Sequence, residues 1–246
     1  MAFPNIVFGS PGDQFSIATA AEGNRSGGPL GTQLVLADGR KFRYAEKDSA
    51  AATAARMQSC RAVAGAHVLQ TAAAAAVGAT SVALTLGATA AAENLFEDGL
   101  LTVDLATNTG AGYSYGIGKH AAVATSGVFT VPLKEPVQVA ISTAANSVSV
   151  ITNKYKAVVI APTTEIGTLA GVAVKPIAAA GFGWLQTRGE TVILGSGTLV
   201  IGEPVSALGA AGAAGPLAVV TTVPIGVCRR VATTTDFSTV DLWIDG

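Results

Sequence analysis

The sequence predicts an all-β protein. Short runs in which apolar and polar residues alternate follow one another along most of the chain, separated by Gly, Asn, Pro and Ser. The clearest local signal is residues 34–44, where two β-prone runs flank Asp38-Gly39. Such a succession is typical of sandwiches and barrels rather than of alternating β and α units. We expect a β-sandwich or jelly-roll-like N-terminal region followed by a small β-barrel-like C-terminal module.

The first thirty residues are rich in Gly and Pro and have little sustained periodicity. We interpret residues 1–30 as an extended arm, because a segment of this kind gains order only by lying on something else. The covering surface is either the rest of its own chain or a neighbouring subunit. A loosely packed tail without a role is the alternative that the sequence leaves open.

The runs around Asp38-Gly39 predict a hairpin, since this dipeptide suits a two-residue type I′ turn. In that register Val35 pairs with Phe42, and Gln33 pairs with Tyr44, on a buried face. The basic side chains of the second run then lie on the opposite, solvated face.

One short helix and many strands are expected after the hairpin. Residues 48–57 are rich in Ala and predict a helix capped at its first residues. Alternating runs then predict strands near 82–86, 101–105, 113–117, 128–133, 137–141, 148–151, 171–174, 182–187, 191–194, 199–201, 202–205, 217–220, 225–228 and 240–244. Thr and Gly at 163–168 indicate a linker or wide turn, which divides a β-rich domain, 31–165, from a barrel-like module, 166–246.

The composition points to partners. Charged residues make up 13% of the 246 residues, against about 25% in typical proteins, and apolar residues make up 50%. Such a chain predicts that neighbours cover much of its exterior, although small Ala and Gly side chains offer a simpler explanation. The net charge of −1 and the lack of a long basic run argue against nucleic acid as a partner. No apolar stretch approaches the ~20 residues of a membrane span, and no signal peptide is expected, so synthesis in the host cytoplasm is predicted.

Side chains suited to catalysis are scarce. His67 and His120 are the only histidines, and their positions do not match the spacing of metal ligands, so we expect each to lie at the surface or to be hydrogen-bonded in a structural role. Glu93, Glu97 and Asp98 form the densest acidic cluster, which we interpret as solvated turn residues. We expect no catalytic residue, no metal site and no cofactor.

The remaining distinctive residues are expected to be structural. Cys60 and Cys228 are far apart and predict two buried free thiols. Trp184 and Trp243 are expected in or beside the core of the C-terminal module. Residues 207–215 predict a flexible loop of Ala and Gly.

Several segments in a fixed order carry a resemblance to a known family. They are residues 30–32, 38–45, 98–101, 112–115, 119–120, 183–189 and 225–227. In this order they resemble capsid decoration proteins, also called cement proteins, of tailed bacteriophages, especially those found in marine phage sequences. The resemblance implies a β-rich fold, assembly on the outer capsid surface as trimers, and no catalysis.

The first functional hypothesis is therefore a structural virion protein that binds the exterior of the capsid. Its partners would be the major capsid protein and its own copies, as a homotrimer. The alternative is a head-fibre or adhesin module that binds host-surface glycans through Arg188, Glu190 and the loop at 207–215. The major capsid protein itself is disfavoured because no long helix is expected, and an enzyme is the least favoured class.

Overall fold

The computed structural model describes residues 6–16, 28–164, 167–207, 210–217 and 223–245. These residues form an all-β structure, which confirms the predicted fold class. The chain divides into two compact units. A discontinuous unit contains residues 1–61 and 154–246, and an inserted unit contains residues 62–153.

The described strands and helices are short, with one exception. In chain order, β1 to β17 are Ile6–Gly9, Gln33–Leu36, Lys41–Glu46, Arg56–Ser59, Gln70–Ala72, Ser81–Thr85, Leu100–Val103, Ser114–Gly116, Val128–Pro132, Ala144–Ile151, Val159–Ile160, Leu169–Ala173, Phe182–Leu194, Pro204–Ser206, Gly215–Pro216, Pro224–Cys228 and Phe237–Trp243. Single 3₁₀ turns lie at Asp13–Phe15 and Gly65–His67.

The discontinuous unit is built on an eleven-stranded sheet. Its main path is β1-β2-β3-β13-β17-β16-β14-β15, while β4, β11 and β12 join beside it. The centre is β13, a strand of 13 residues that pairs with β3, β12 and β17. Every neighbour of β13 is antiparallel to it, so this one strand organises the unit.

The sequence predicted two strands where β13 is continuous. Its register with β3 shifts between Gln186 and Arg188, and Gly189 has a φ of +83°. The buried side-chain amide of Gln186 donates to the carbonyl oxygens of residues 188, 189 and 190 at 2.8–3.2 Å. This bulge absorbs the irregularity, so the chain continues as a strand instead of turning.

The structure divides the chain differently from the predicted boundary at 165/166. Strand β3 lies before that boundary and β13 after it, yet the two pair in register from Phe182 opposite Glu46 onward. Likewise β4 pairs with β12. Backbone pairing between distant segments therefore joins the predicted β-rich domain to the predicted C-terminal module, and the inserted unit is the separate body.

The hairpin of β2 and β3 is present, but its predicted register is wrong by one residue. Leu34 lies opposite Phe42, and Val35 lies opposite Lys41. The N–H of Leu36 donates to the Arg40 carbonyl oxygen at 3.0 Å, which leaves a three-residue loop. Gly39 supplies the positive φ, +85°, that such a loop requires. Val35 consequently shares the outer face with Lys41 rather than the buried face.

Part of the predicted arm is a strand. Residues 6–9 form β1, which pairs in parallel with β2, while residues 1–5 and 17–27 lie outside the described residues. The predicted helix at 48–57 is wrong. Ala52 and Ile177 exchange both backbone hydrogen bonds, at 2.8 and 3.0 Å, so long-range pairing overrides the helical propensity of Ala.

The inserted unit contains an antiparallel six-stranded sheet in the order β8-β7-β10-β5-β6-β9. The alternation predicted for β6 is confirmed, because Val82, Leu84 and Leu86 are all buried. The predicted strand at 137–141 is wrong, since the structure has only an isolated bridge between Ile141 and Ala75 there. One core cluster, centred on Phe96 and Phe129, packs inside this unit.

Candidate interaction surface

Both histidines are buried in the inserted unit and make structural contacts. His120 Nε2 accepts the backbone N–H of Phe96 at 3.0 Å, and Nδ1 lies 2.8 Å from the Ala121 carbonyl oxygen. Its ring also packs on Phe96 and Phe129. His67 Nε2 lies 3.1 Å from a backbone carbonyl oxygen, and its ring meets Phe96 edge-on. The structural roles expected for both residues are therefore confirmed.

The three acidic residues lie in turns, as predicted, but only Glu93 is well exposed to solvent. Glu93 is exposed, but Glu97 is buried and Asp98 forms an ion pair with Lys134. Local packing of 94–97 against the core draws Glu97 inward. Across the described ranges, no group of three or more His, Cys, Asp or Glu side chains could hold a metal ion. Within those same ranges, the helices are too short to cross a membrane.

Buried charges in the discontinuous unit are paired. Lys47 donates to Asp48 and to the Val158 carbonyl oxygen, and Lys156 lies 2.7 Å from Glu46. Such pairs fix local geometry, because an unpaired buried charge would be costly.

Tyr155 lies beside a third ion pair of this unit, in which Arg43 and Asp245 are 2.5 Å apart. Burial, followed by the negative charge of Asp245, raises the pKa of Tyr155 to about 12. The phenol is therefore neutral over the ordinary pH range.

The cysteines are both free, as predicted, but only Cys228 is buried. Cys60 is partly exposed, and its Sγ lies 3.6 Å from Thr168 Oγ1.

Strand β1 is the most exposed apolar element of the described chain. Ile6, Val7 and Phe8 are between 40% and 83% exposed, although they belong to a sheet. Because successive side chains of a strand point to opposite faces, both faces of β1 are uncovered. Its outer edge forms the end of the sheet, so its backbone groups on that side have no neighbouring strand among the described residues.

A second exposed surface lies on the outer face of β13 and β17. Arg188 stands directly opposite Trp243, and Glu190 directly opposite Asp241. The inward-facing partners on the same two strands include Ser238, Val240 and Leu242, all buried. We call this surface the β13–β17 strip, and it comprises Arg188, Glu190, Val192, Phe237, Thr239, Asp241 and Trp243.

A concavity lies at each end of the strip. One, of about 550 Å³, is lined by Glu190, Val192, Phe237 and Thr239 of the strip together with Phe15. The other, of about 420 Å³, is lined by Trp243 and by neighbours that include Lys154 and Val223. Both volumes fall in the usual range for small-molecule sites, about 300–1,000 Å³.

Trp184 lies in the core, whereas Trp243, which was expected in or beside the core, lies on the outer face of β17. Trp243 is 42% exposed, and its indole N–H donates to the Pro224 carbonyl oxygen at 3.3 Å. The period-two pattern of 238–243 contained the signal that was missed, because it places Trp243 opposite to Val240 and Leu242.

The predicted glycan-binding residues are only partly brought together. Arg188 and Glu190 are exposed on the strip, and Glu190 forms an ion pair with Arg229 at 2.9 Å. The loop at 207–215 is not a free loop, since residues 213 and 214 pack in the core. Residues 208–209 of that loop lie outside the described residues.

No protein-family model, curated protein or solved structure matches this chain.

Proposed function

We propose that this chain is a non-enzymatic structural virion protein, which binds the outer surface of a tailed-phage capsid and stabilises it. Its partners would be the major capsid protein and its own copies, assembled as a homotrimer. The observation that carries the proposal is β1, whose apolar side chains are exposed on both faces at the free edge of the sheet.

All-parallel sheets are almost always covered on both faces, and parallel strands are usually buried in this way. The parallel pair of β1 and β2 lacks such cover on the β1 side, because Ile6, Val7 and Phe8 are 40–83% exposed. An exposed apolar edge strand is also prone to pair with another chain. A partner that supplied a strand or an apolar surface would remove both liabilities, and a capsid surface or a neighbouring copy would do so.

The low charge of the chain supports assembly in the same way. Only 13% of the residues are charged, so little electrostatic repulsion opposes close contact between copies. On a capsid each copy meets an ordered array of partners, and several modest contacts then act together. The resemblance of the chain to decoration proteins, carried by the order of its turn-plus-strand segments, points to the same class.

The test is binding of the purified chain to empty capsids that lack it, measured by co-sedimentation. We expect saturable binding and a higher thermal disruption temperature of the decorated capsids. Val7→Lys and Phe8→Lys should each weaken binding about tenfold or more, because a charge would be buried at the interface. Val77→Lys, at a similarly exposed apolar position in the inserted unit, is the matched control and should bind normally.

The substituted side chains are exposed, so the variants should fold normally. Circular dichroism of each variant checks this. Failure of the wild-type chain to bind, or capsids whose stability does not change on binding, would overturn the proposal. Equal loss of binding in the Val77→Lys control would show that β1 is not the surface that binds the capsid. Sedimentation equilibrium of the free chain tests the homotrimer separately.

A further inference from the structure

We infer that the β13–β17 strip binds a neutral oligosaccharide. This site is independent of β1 and does not rest on capsid binding. It shares Arg188 and Glu190 with the glycan surface predicted from the sequence, but an open sheet face with exposed aromatic rings takes the place of the loop at 207–215.

Exposed aromatic rings mark the two ends of the strip. Phe237 and Trp243 lie on the same face of β17, and both are more than 40% exposed. They are six positions apart along the strand, which corresponds to roughly 20 Å. The hydrogen bond from the Trp243 indole to Pro224 restrains the ring in one orientation. Half-exposed rings offer flat apolar surfaces on which the C–H face of a pyranose can stack.

The middle of the strip carries groups that suit sugar hydroxyls. Glu190 and Asp241 stand directly opposite each other, and like charges in this position destabilise a sheet. Arg229 offsets only part of this cost, through its ion pair with Glu190. Carboxylates accept hydrogen bonds from hydroxyl groups, and the Thr239 hydroxyl both donates and accepts. The hydroxyl groups of a sugar would therefore donate hydrogen bonds to the Glu190 and Asp241 carboxylates, which the fold holds close together despite their repulsion.

The charge of the strip selects the class of ligand. Arg188 and Arg229 balance Glu190 and Asp241, so these four side chains together carry no net charge. An anionic polymer such as nucleic acid would require an excess of cations, which is lacking among these four residues. A neutral, extended polymer of sugars matches both the balance of charge and the length between the two aromatic rings.

The two concavities extend the same surface. The groove of about 550 Å³ shares Glu190, Val192 and Phe237 with the strip, and the pocket of about 420 Å³ shares Trp243. A chain of several sugar units would therefore lie along β17 with its ends in these two depressions, and a monosaccharide would fill only part of the site.

The chain has a built-in reporter for this binding. Trp184 and Trp243 are its only tryptophans, and only Trp243 is exposed, so quenching of fluorescence by acrylamide reports mainly on Trp243. The probes are the hexasaccharides of β-1,4-glucose, β-1,4-N-acetylglucosamine and α-1,4-glucose. At least one of them should bind saturably and protect Trp243 from acrylamide.

Calorimetry with that hexasaccharide then tests the residues. Trp243→Ala and Phe237→Ala should each weaken binding about tenfold, because each removes one stacking surface. Asp241→Asn should weaken it less, since the amide keeps one acceptor. Tyr113→Ala, which removes an equally exposed aromatic ring in the inserted unit, should bind as the wild type does.

Absence of binding by all three hexasaccharides at millimolar concentration would overturn the inference, as would an equal effect of Tyr113→Ala. A Trp243→Ala variant that keeps sugar binding would overturn it too. If Trp243→Ala instead abolished binding to capsids while no hexasaccharide bound, the strip would be a protein interface. Capsid binding is measured separately, so failure of this inference leaves the proposed function standing.

Discussion

Replacement of His120 tests how the inserted unit is held together. The backbone N–H of Phe96 donates to His120 Nε2 at 3.0 Å, so that nitrogen carries no hydrogen. The hydrogen is then on Nδ1, which donates to the Ala121 carbonyl oxygen at 2.8 Å. The ring thus works as an acceptor inside an apolar core, where Phe96 and Phe129 pack against it.

Two substitutions separate the acceptor from the ring. His120→Phe keeps an aromatic ring but leaves the buried N–H of Phe96 without its partner, which costs about 1–3 kcal/mol. His120→Ala also removes ring contacts with Phe96 and Phe129, worth about 0.5–1.5 kcal/mol each, and leaves a cavity. We therefore expect losses in the free energy of unfolding of about 2 kcal/mol for Phe and about 4 kcal/mol for Ala.

Hydrogen exchange of peptides from residues 62–153 is the appropriate assay, because both tryptophans lie in the discontinuous unit. The protection of β6, β7 and β10 amides gives the free energy of opening of the inserted unit itself. Tyr113→Ala, an exposed position, is the control and should change it by less than about 0.5 kcal/mol. A His120→Phe variant as stable as the wild type, or as unstable as the Ala variant, would refute the reasoning.

Three further results are expected. Gly226→Ala should lower the free energy of unfolding by about 3 kcal/mol, because its Cβ would lie 2.2 Å from the Asp241 carbonyl oxygen. Gly65→Ala has open space around its Cβ and should lower it by less than about 0.5 kcal/mol. Equal melting temperatures of the two variants would contradict this prediction. Tyr155 is neutral in the folded and unfolded states well below pH 10. Between its unfolded pKa of 10.0 and its folded pKa of about 12, the phenol ionises in the unfolded chain first. The free energy of unfolding should therefore fall by about 2 kcal/mol as the pH rises through this range. Urea unfolding at both ends of this pH range should show the loss of stability in the wild type but not in Tyr155→Phe. A loss that persists in Tyr155→Phe would exclude Tyr155 as its cause. Ellman's reagent should label Cys60 in the folded chain and should label Cys228 only after unfolding. Equal labelling rates for the two cysteines in the folded chain would show that Cys228 is not buried.

Local patterns predicted local features well. Alternation identified the buried side chains of β6 because a strand exposes alternate residues to opposite faces regardless of its partners. The hairpin at Asp38-Gly39 was found, but its register was not, since two- and three-residue loops accept the same dipeptide. The helix predicted at 48–57 is absent because the helical propensity of Ala is weak compared with backbone pairing to a distant segment.

The candidate surfaces were predicted in part. The N-terminal segment was expected to need a covering surface, and Arg188 and Glu190 were expected to be exposed, as they are. Trp243 was expected in or beside the core, because Trp is usually largely buried, and its partial exposure follows only once the face of β17 is assigned. The pairing of Arg188 with Trp243 depends on the register of two strands whose residues are far apart in the sequence.

The sequence by itself determined the all-β class, the alternation within strands, the positions of several turns and the scarcity of charge. The tertiary structure alone decided that β3 pairs with β13 across the expected domain boundary, that residues 62–153 form a separate unit, and that β1 is uncovered on both faces. Alternation and turn chemistry act between residues a few positions apart and are written in side-chain identity. Strand pairing uses backbone groups that every residue shares, so the partner is chosen by packing of the whole chain.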